Sequence, residues 1–178
     1  MNVCIALYKG KGHWRDSLVR YWTKSAYSHA ELLMPDNTAI TIAPFDLKGV
    51  TRAPFNLQDE ESWDFICLAV NPSQLRTIEK FYEETQGLQY DWVGMIASQL
   101  LPYHIKHRSR WYCSEWIAYA LRLICSIDGL HKVSDMSPGA LANLLPKEQK
   151  IRLVDRPVMS NWNYEPPKKW GALDESKD

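Results

Sequence analysis

Residues 2–7 form a short apolar run that stops at Lys9 and Gly10, the pattern of a buried strand. The period then changes. Over residues 13–24, Leu18, Val19, Tyr21 and Trp22 share one helical face. Residues 28–34 and 38–43 flank Pro35, Asp36 and Asn37, a turn sequence between two apolar stretches, which predicts a β-hairpin. Residues 49–54 read as an edge segment or loop, because Pro44 and Pro54 interrupt a ladder. The strongest strand spans 63–70, rich in aromatic, Ile, Leu and Val residues, and Asn71–Pro72 closes it.

Pro72 opens a helix with Asn71 or Ser73 as its cap and Leu75, Ile78, Phe81 and Tyr82 on one face; Gly87 ends it. A second helix is expected over 91–101, as far as Pro102. A third spans 112–125, with Ile117, Ala120, Leu121 and Ile124 as its apolar stripe. Ser137 and Pro138 cap a short helix running through Leu145. One strand, a helix, several strands and then mostly helices predict an α+β domain, with helices packed on one side of an antiparallel sheet.

The hairpin carries its own register. Ala30, Leu32 and Met34 point one way and His29, Glu31 and Leu33 the other. Pairing Ala30 with Ile42 and Leu32 with Ile40 gathers the apolar residues on the core face, and then Glu31 faces Thr41 beside His29.

At 178 residues the chain is expected to form one domain over residues 1–155. Residues 156–178 are a Pro-, Trp- and charge-rich tail, docked in the part through Trp170. The 21 Lys and Arg balance 21 Asp and Glu, which argues against a nucleic-acid partner held by bulk positive charge. No basic-then-apolar leader and no run of 18 apolar residues is seen, so neither a signal peptide nor a transmembrane segment is expected. The four cysteines contain no CxxC pair, and Cys4 and Cys67 lie in apolar strands, reading as free core residues. A reducing setting, cytoplasmic or virion-associated, follows as the expectation. Nothing in the pattern sets an oligomeric state.

Cys113 differs from the other cysteines because it sits at the start of the strongest helix. Helix N-terminal amides and the macrodipole stabilise an anion there, and the same amides could receive an oxyanion. A cysteine nucleophile needs a base, and His29, rigidly aimed by its strand, is the candidate. His104 and His107 form an HxxH pair whose spacing fits no common closed zinc site, so neither metal nor cofactor is expected. Trp14, Trp22, Trp63, Trp92, Trp111 and Trp116, with Tyr27, Tyr90 and Tyr112, read first as core; Trp111 and Tyr112 could instead line a groove beside the nucleophile.

The segment Gly87–Leu88–Gln89–Tyr90–Asp91–Trp92–Val93–Gly94, with Trp111–Tyr112–Cys113–Ser114–Glu115 after it, resembles the nucleophile region of NlpC/P60 papain-like cysteine hydrolases. The histidine strand Ser28–His29–Ala30–Glu31–Leu32 precedes the cysteine, an order that resembles the circularly permuted branch, the YiiX/YebB-like enzymes and their phage relatives. The resemblance implies a papain-like α+β fold in which Cys113 attacks an amide or ester carbonyl, forms a thioester, and exchanges its proton with His29. The backbone amide of Cys113 is the candidate oxyanion donor, and Tyr90 falls on the motif tyrosine near the cleft wall. Tyr90, Trp111, Tyr112, Ser114 and Thr41 are the expected substrate-side residues. The strand after the histidine offers no carboxylate, which leaves Glu31, ahead of Thr41, as the expected orienter of the imidazole; Glu115 is expected to structure the helix start. A peptide or peptidoglycan amide is the expected substrate. A lipid or acyl hydrolase or acyltransferase, and a binding or virion-structural module without turnover, are the alternatives.

Overall fold

A computed structural model describes residues 1–10, 14–42, 48–55, 57, 59–90, 110–125, 130, 133 and 136–149. The expected helix over 91–101, the His104–His107 pair and the tail at 156–178 lie outside these residues.

The described chain is an α+β arrangement built on a five-stranded antiparallel sheet. Its strands are β1 (Asn2–Tyr8), β2 (His29–Leu33), β3 (Thr38–Ile42), β4 (Val50–Pro54) and β5 (Trp63–Ala69), in the spatial order β4-β3-β2-β1-β5. A separate two-residue pair joins β6 (Gln89–Tyr90) to β7 (Arg110–Trp111) in parallel. The helices are α1 (Trp14–Thr23), α2 (Pro72–Thr85), α3 (Cys113–Ile124) and α4 (Pro138–Gln149), so the last runs beyond Leu145. Among the described residues no helix is long and apolar enough to cross a membrane.

Alternation along the strands sorts side chains onto two faces. Val3, Ile5, Leu7, Ala30, Leu32, Ile40 and Ile42 join Ile78 and Phe81 of α2, Trp116, Ile117 and Leu121 of α3, and Leu141 and Leu145 of α4 in the main core. The other face carries a smaller cluster, Cys4, Ala6, Leu33, Ala39, Phe55 and Phe65. Leu32 pairs with Ile40, the register that apolar matching predicts for the hairpin. Asn37 takes a positive φ of 65° in the turn, a conformation that asparagine tolerates better than most residues. β4 forms the sheet edge, where Pro54 costs no interior ladder bond.

Local signals fix the helix ends. The Asn71 side chain accepts from the Gln74 amide while the Gln74 side chain accepts from the Asn71 amide, a reciprocal box that starts α2. Gly87 follows with φ 77°. Gly49 takes φ 70° where the chain passes the Leu88 carbonyl, too close for any side chain. The hydroxyl of Ser137 accepts from the Ala140 amide at 3.1 Å and caps α4.

Two expectations change. Cys4 and Cys67 are not free core thiols: strand pairing sets them directly opposite each other, and they are joined by a disulfide. Each lies in an apolar run that periodicity reads as ordinary core, and only the β1–β5 register reveals them as partners. The reading of Trp14 as core is the second correction, since it is 67% exposed; Leu18 and Tyr21 of the α1 face are 43% and 80% exposed and stand at the surface. Helical spacing places residues on one face but does not say what covers it.

Candidate functional site

The site is assembled where β2 meets the start of α3. His29 opens β2, one residue after Ser28, whose amide donates to the Tyr8 carbonyl at 2.9 Å. Cys113 is the first residue of α3, and Tyr112 stands at the cap position in extended conformation. Among the described residues the pairing of β2 with β3 comprises Leu32↔Ile40 and Leu33↔Ala39. Beyond that point the Ala30 amide donates to the Cys113 sulfur, as does the amide of Ser114 in the first turn of α3. A helix start and an interrupted ladder thus supply two backbone donors to one sulfur.

The thiol and the imidazole are hydrogen-bonded to each other. His29 Nε2 lies 3.0 Å from Thr41 Oγ1 and 3.3 Å from Glu31 Oε1. Burial opposes charge on both members of the pair, yet the mutual attraction prevails. For Cys113, burial pushes the pKa up, but the His29 charge and hydrogen bond, with the two amides, bring it below the ordinary thiol value. For His29, burial pushes down, while the Cys113 thiolate and then the Glu31 carboxylate raise the imidazole to about 10. The state this geometry favours is a thiolate–imidazolium pair, in which Nε2–H donates to Thr41 and Glu31.

Glu31 is only 7% exposed, so its carboxylate faces the imidazole with little competition from water. Thr41 approaches closer than Glu31. The strand after the histidine, which offers no carboxylate, therefore still contributes an oxygen to the ring. The other free cysteine, Cys125, ends α3 with its thiol on the Leu121 carbonyl at 3.0 Å, and burial raises its pKa. One helix thus carries two thiols perturbed in opposite directions.

The remaining expected residues are placed as follows. Trp111 and Tyr112, at 7% and 4% exposure, belong to the helix-side core, the first of the two places the sequence offered them. Ser114 is fully buried, and its hydroxyl has no hydrogen-bond partner among the described residues. Tyr90 lies on β6, next to Trp111 in the parallel register. Glu115 is buried in the first turn of α3.

Sequence reasoning missed two neighbours of the pair. The Ala30 amide carries no side-chain signal at all. Tyr8 is the residue of β1 directly opposite His29, and Trp63 of β5 is directly opposite Tyr8. Matching the apolar faces of three strands, rather than of the hairpin alone, would have found that row. No protein-family model matches the chain, and comparison with curated proteins finds no match.

Proposed function

We propose that the chain is a cysteine hydrolase of the papain-like, circularly permuted NlpC/P60 type, cleaving an amide bond of a peptide or peptidoglycan-type substrate. The observation that carries the reading is the hydrogen-bonded Cys113–His29 pair whose second ring nitrogen is held by Thr41 and Glu31. A nucleophile, a base and an orienter in contact make up the arrangement that acyl transfer through cysteine requires.

With Nε2 engaged by Thr41 and Glu31, Nδ1 is the nitrogen left for the thiol proton. The Cys113 thiolate attacks the amide carbonyl carbon, and the carbonyl oxygen takes the negative charge. The backbone amide of Cys113, at the start of α3, receives it. Collapse breaks the C–N bond as Nδ1–H protonates the departing amine, leaving a thioester on Cys113. Water then attacks the thioester while the imidazole takes its proton. The carboxylic acid departs, and thiolate and imidazolium are restored.

The test is labelling with iodoacetamide followed by mapping, alongside peptide release from purified peptidoglycan. Cys113 labels faster than Cys125 at neutral pH, His29→Ala slows that labelling, and Cys113→Ala abolishes peptide release. Equal, slow labelling of both cysteines, unaffected by His29→Ala, would leave a binding module on the same scaffold.

A further inference from the structure

Trp63, Tyr8 and His29 stand in one row across three adjacent strands, because Tyr8 is paired with His29 on one side and with Trp63 on the other. Directly paired residues of antiparallel strands project from the same face. The Tyr8 and Trp63 rings are 5.0 Å apart, tilted by 56°, and both are half-buried. Phe55, almost wholly buried, backs Trp63 edge-on at 5.3 Å. Gly10 makes room for the Tyr8 ring: a Cβ there would collide with the tyrosine hydroxyl and with Ser62. Two aromatic rings are thus held in fixed positions, partly open to solvent, in the same cross-strand row as His29.

Trp111 and Tyr112 do not offer this. They are consumed by the helix-side core, where Trp111 packs against Phe81 and Tyr119. The half-open aromatic surface that register brings to the imidazole comes from β1 and β5 instead.

We propose that Tyr8 and Trp63 form a subsite that stacks against a flat ring carried by the substrate, either an aromatic side chain or the CH face of a sugar. The assignment rests on the Cys113–His29 reading, since it is the imidazole that gives the row its place beside the scissile bond. Stacking is worth more than equal-sized aliphatic contact because the ring faces are extended, rigid and polarisable. Tyr8 and Trp63 are positioning residues for the ligand and take no part in bond-making.

The experiment measures protection of Cys113 from iodoacetamide in the intact chain by three small ligands that carry no amide or ester to cleave: benzyl alcohol, 1-butanol and methyl glucoside. The benzyl compound protects at about tenfold lower concentration than the butyl compound, the ratio expected for one stacking contact. Superior protection by methyl glucoside assigns the slot to sugars rather than aromatic side chains. Trp63→Leu abolishes the ring preference, whereas Trp63→Phe, which keeps a ring on the Phe55 support, retains it. Both variants keep the unprotected labelling rate of Cys113, which shows that fold and ion pair are intact. Equal protection by all three ligands, or a ring preference that survives Trp63→Leu, would overturn the subsite while leaving the catalytic pair standing. Failure of Cys113 to label without ligand, in a folded chain, would overturn both.

Discussion

The hydroxyl of Thr41 stands 3.0 Å from Nε2 of His29, inside the 3.3 Å that separates the same nitrogen from Glu31. Two oxygens of unlike charge therefore share one N–H, and they do different work. The carboxylate stabilises the imidazolium, whereas the hydroxyl fixes the direction of the ring. Glu31→Gln should lower the His29 pKa from about 10 and slow Cys113 alkylation at pH 7 by about tenfold, the effect of losing one charge-assisted hydrogen bond. Thr41→Val should slow alkylation less and leave the imidazole pKa high. Proton NMR of the His29 ring with timed alkylation checks both; an unchanged imidazole pKa in Glu31→Gln would remove Glu31 from the site.

The pair also predicts a stability plateau in pH. His29 is raised from 6.5 to about 10, so its contribution is whole below pH 6.5 and is lost as pH rises toward 10. Cys113 is lowered from 9.0, so its contribution is whole above that value and is lost as pH falls toward its lower folded value. Where the two ranges overlap, up to about pH 9, the two slopes cancel, and above pH 9 stability from this pair declines toward pH 10. Chemical denaturation of the wild type and of Cys113→Ala across pH 5–10 isolates the contribution, which is the difference between the two curves. A difference that rises steadily through pH 6.5–9 would exclude the ion pair.

The disulfide between Cys4 and Cys67 closes a long loop whose ends are 63 positions apart in sequence. Chain-entropy arguments give about 4 kcal/mol for a loop of that length. Unfolding without reductant should expose two alkylatable thiols, Cys113 and Cys125, and unfolding with reductant four. Reductant or Cys67→Ser should lower the denaturation midpoint. Four thiols in the oxidised, unfolded chain would show that the bridge does not form. Such bridges persist in oxidising compartments.

In the core, the indole Nε1 of Trp116 donates to the Thr85 hydroxyl at 2.9 Å, and its ring stacks on Phe81 at 5.0 Å. Trp116 is 1% exposed, so this donor has no recourse to water. Thr85→Val preserves volume but orphans the N–H, and should cost about 1–3 kcal/mol in denaturant unfolding. A loss below 0.5 kcal/mol would mean that the indole finds another acceptor.

The opposite expectation holds on α1. Because Leu18 and Tyr21 stand at the surface, Leu18→Ser and Tyr21→Ser should each change stability by less than about 0.5 kcal/mol. Losses of 2 kcal/mol or more, the scale of core truncation, would restore the helix stripe to the interior.

What could be read from the sequence was what local chemistry determines. The Asn71 cap, the Asn37 turn and the pairing of Leu32 with Ile40 follow from residue type and alternation over a few positions. The same alternation brought Glu31 and Thr41 beside His29. The Cys4–Cys67 bridge could not be read this way, because it depends on which strands become neighbours. Nor could the exposure of Tyr21, since a helix stripe looks the same whether covered or bare. Residue type puts Thr41 behind Glu31 as orienter, because a hydroxyl is a weaker partner for a cation than a carboxylate; its shorter distance reflects strand geometry that residue type does not encode.

The hairpin stays zipped at Leu32 and Leu33 and parts toward His29, leaving the Ala30 amide to a sulfur rather than to a neighbouring carbonyl. A longer zipper would make a stiffer sheet and evict the anion from its berth. Sequence changes that extend the β2–β3 seam should therefore trade reactivity for rigidity.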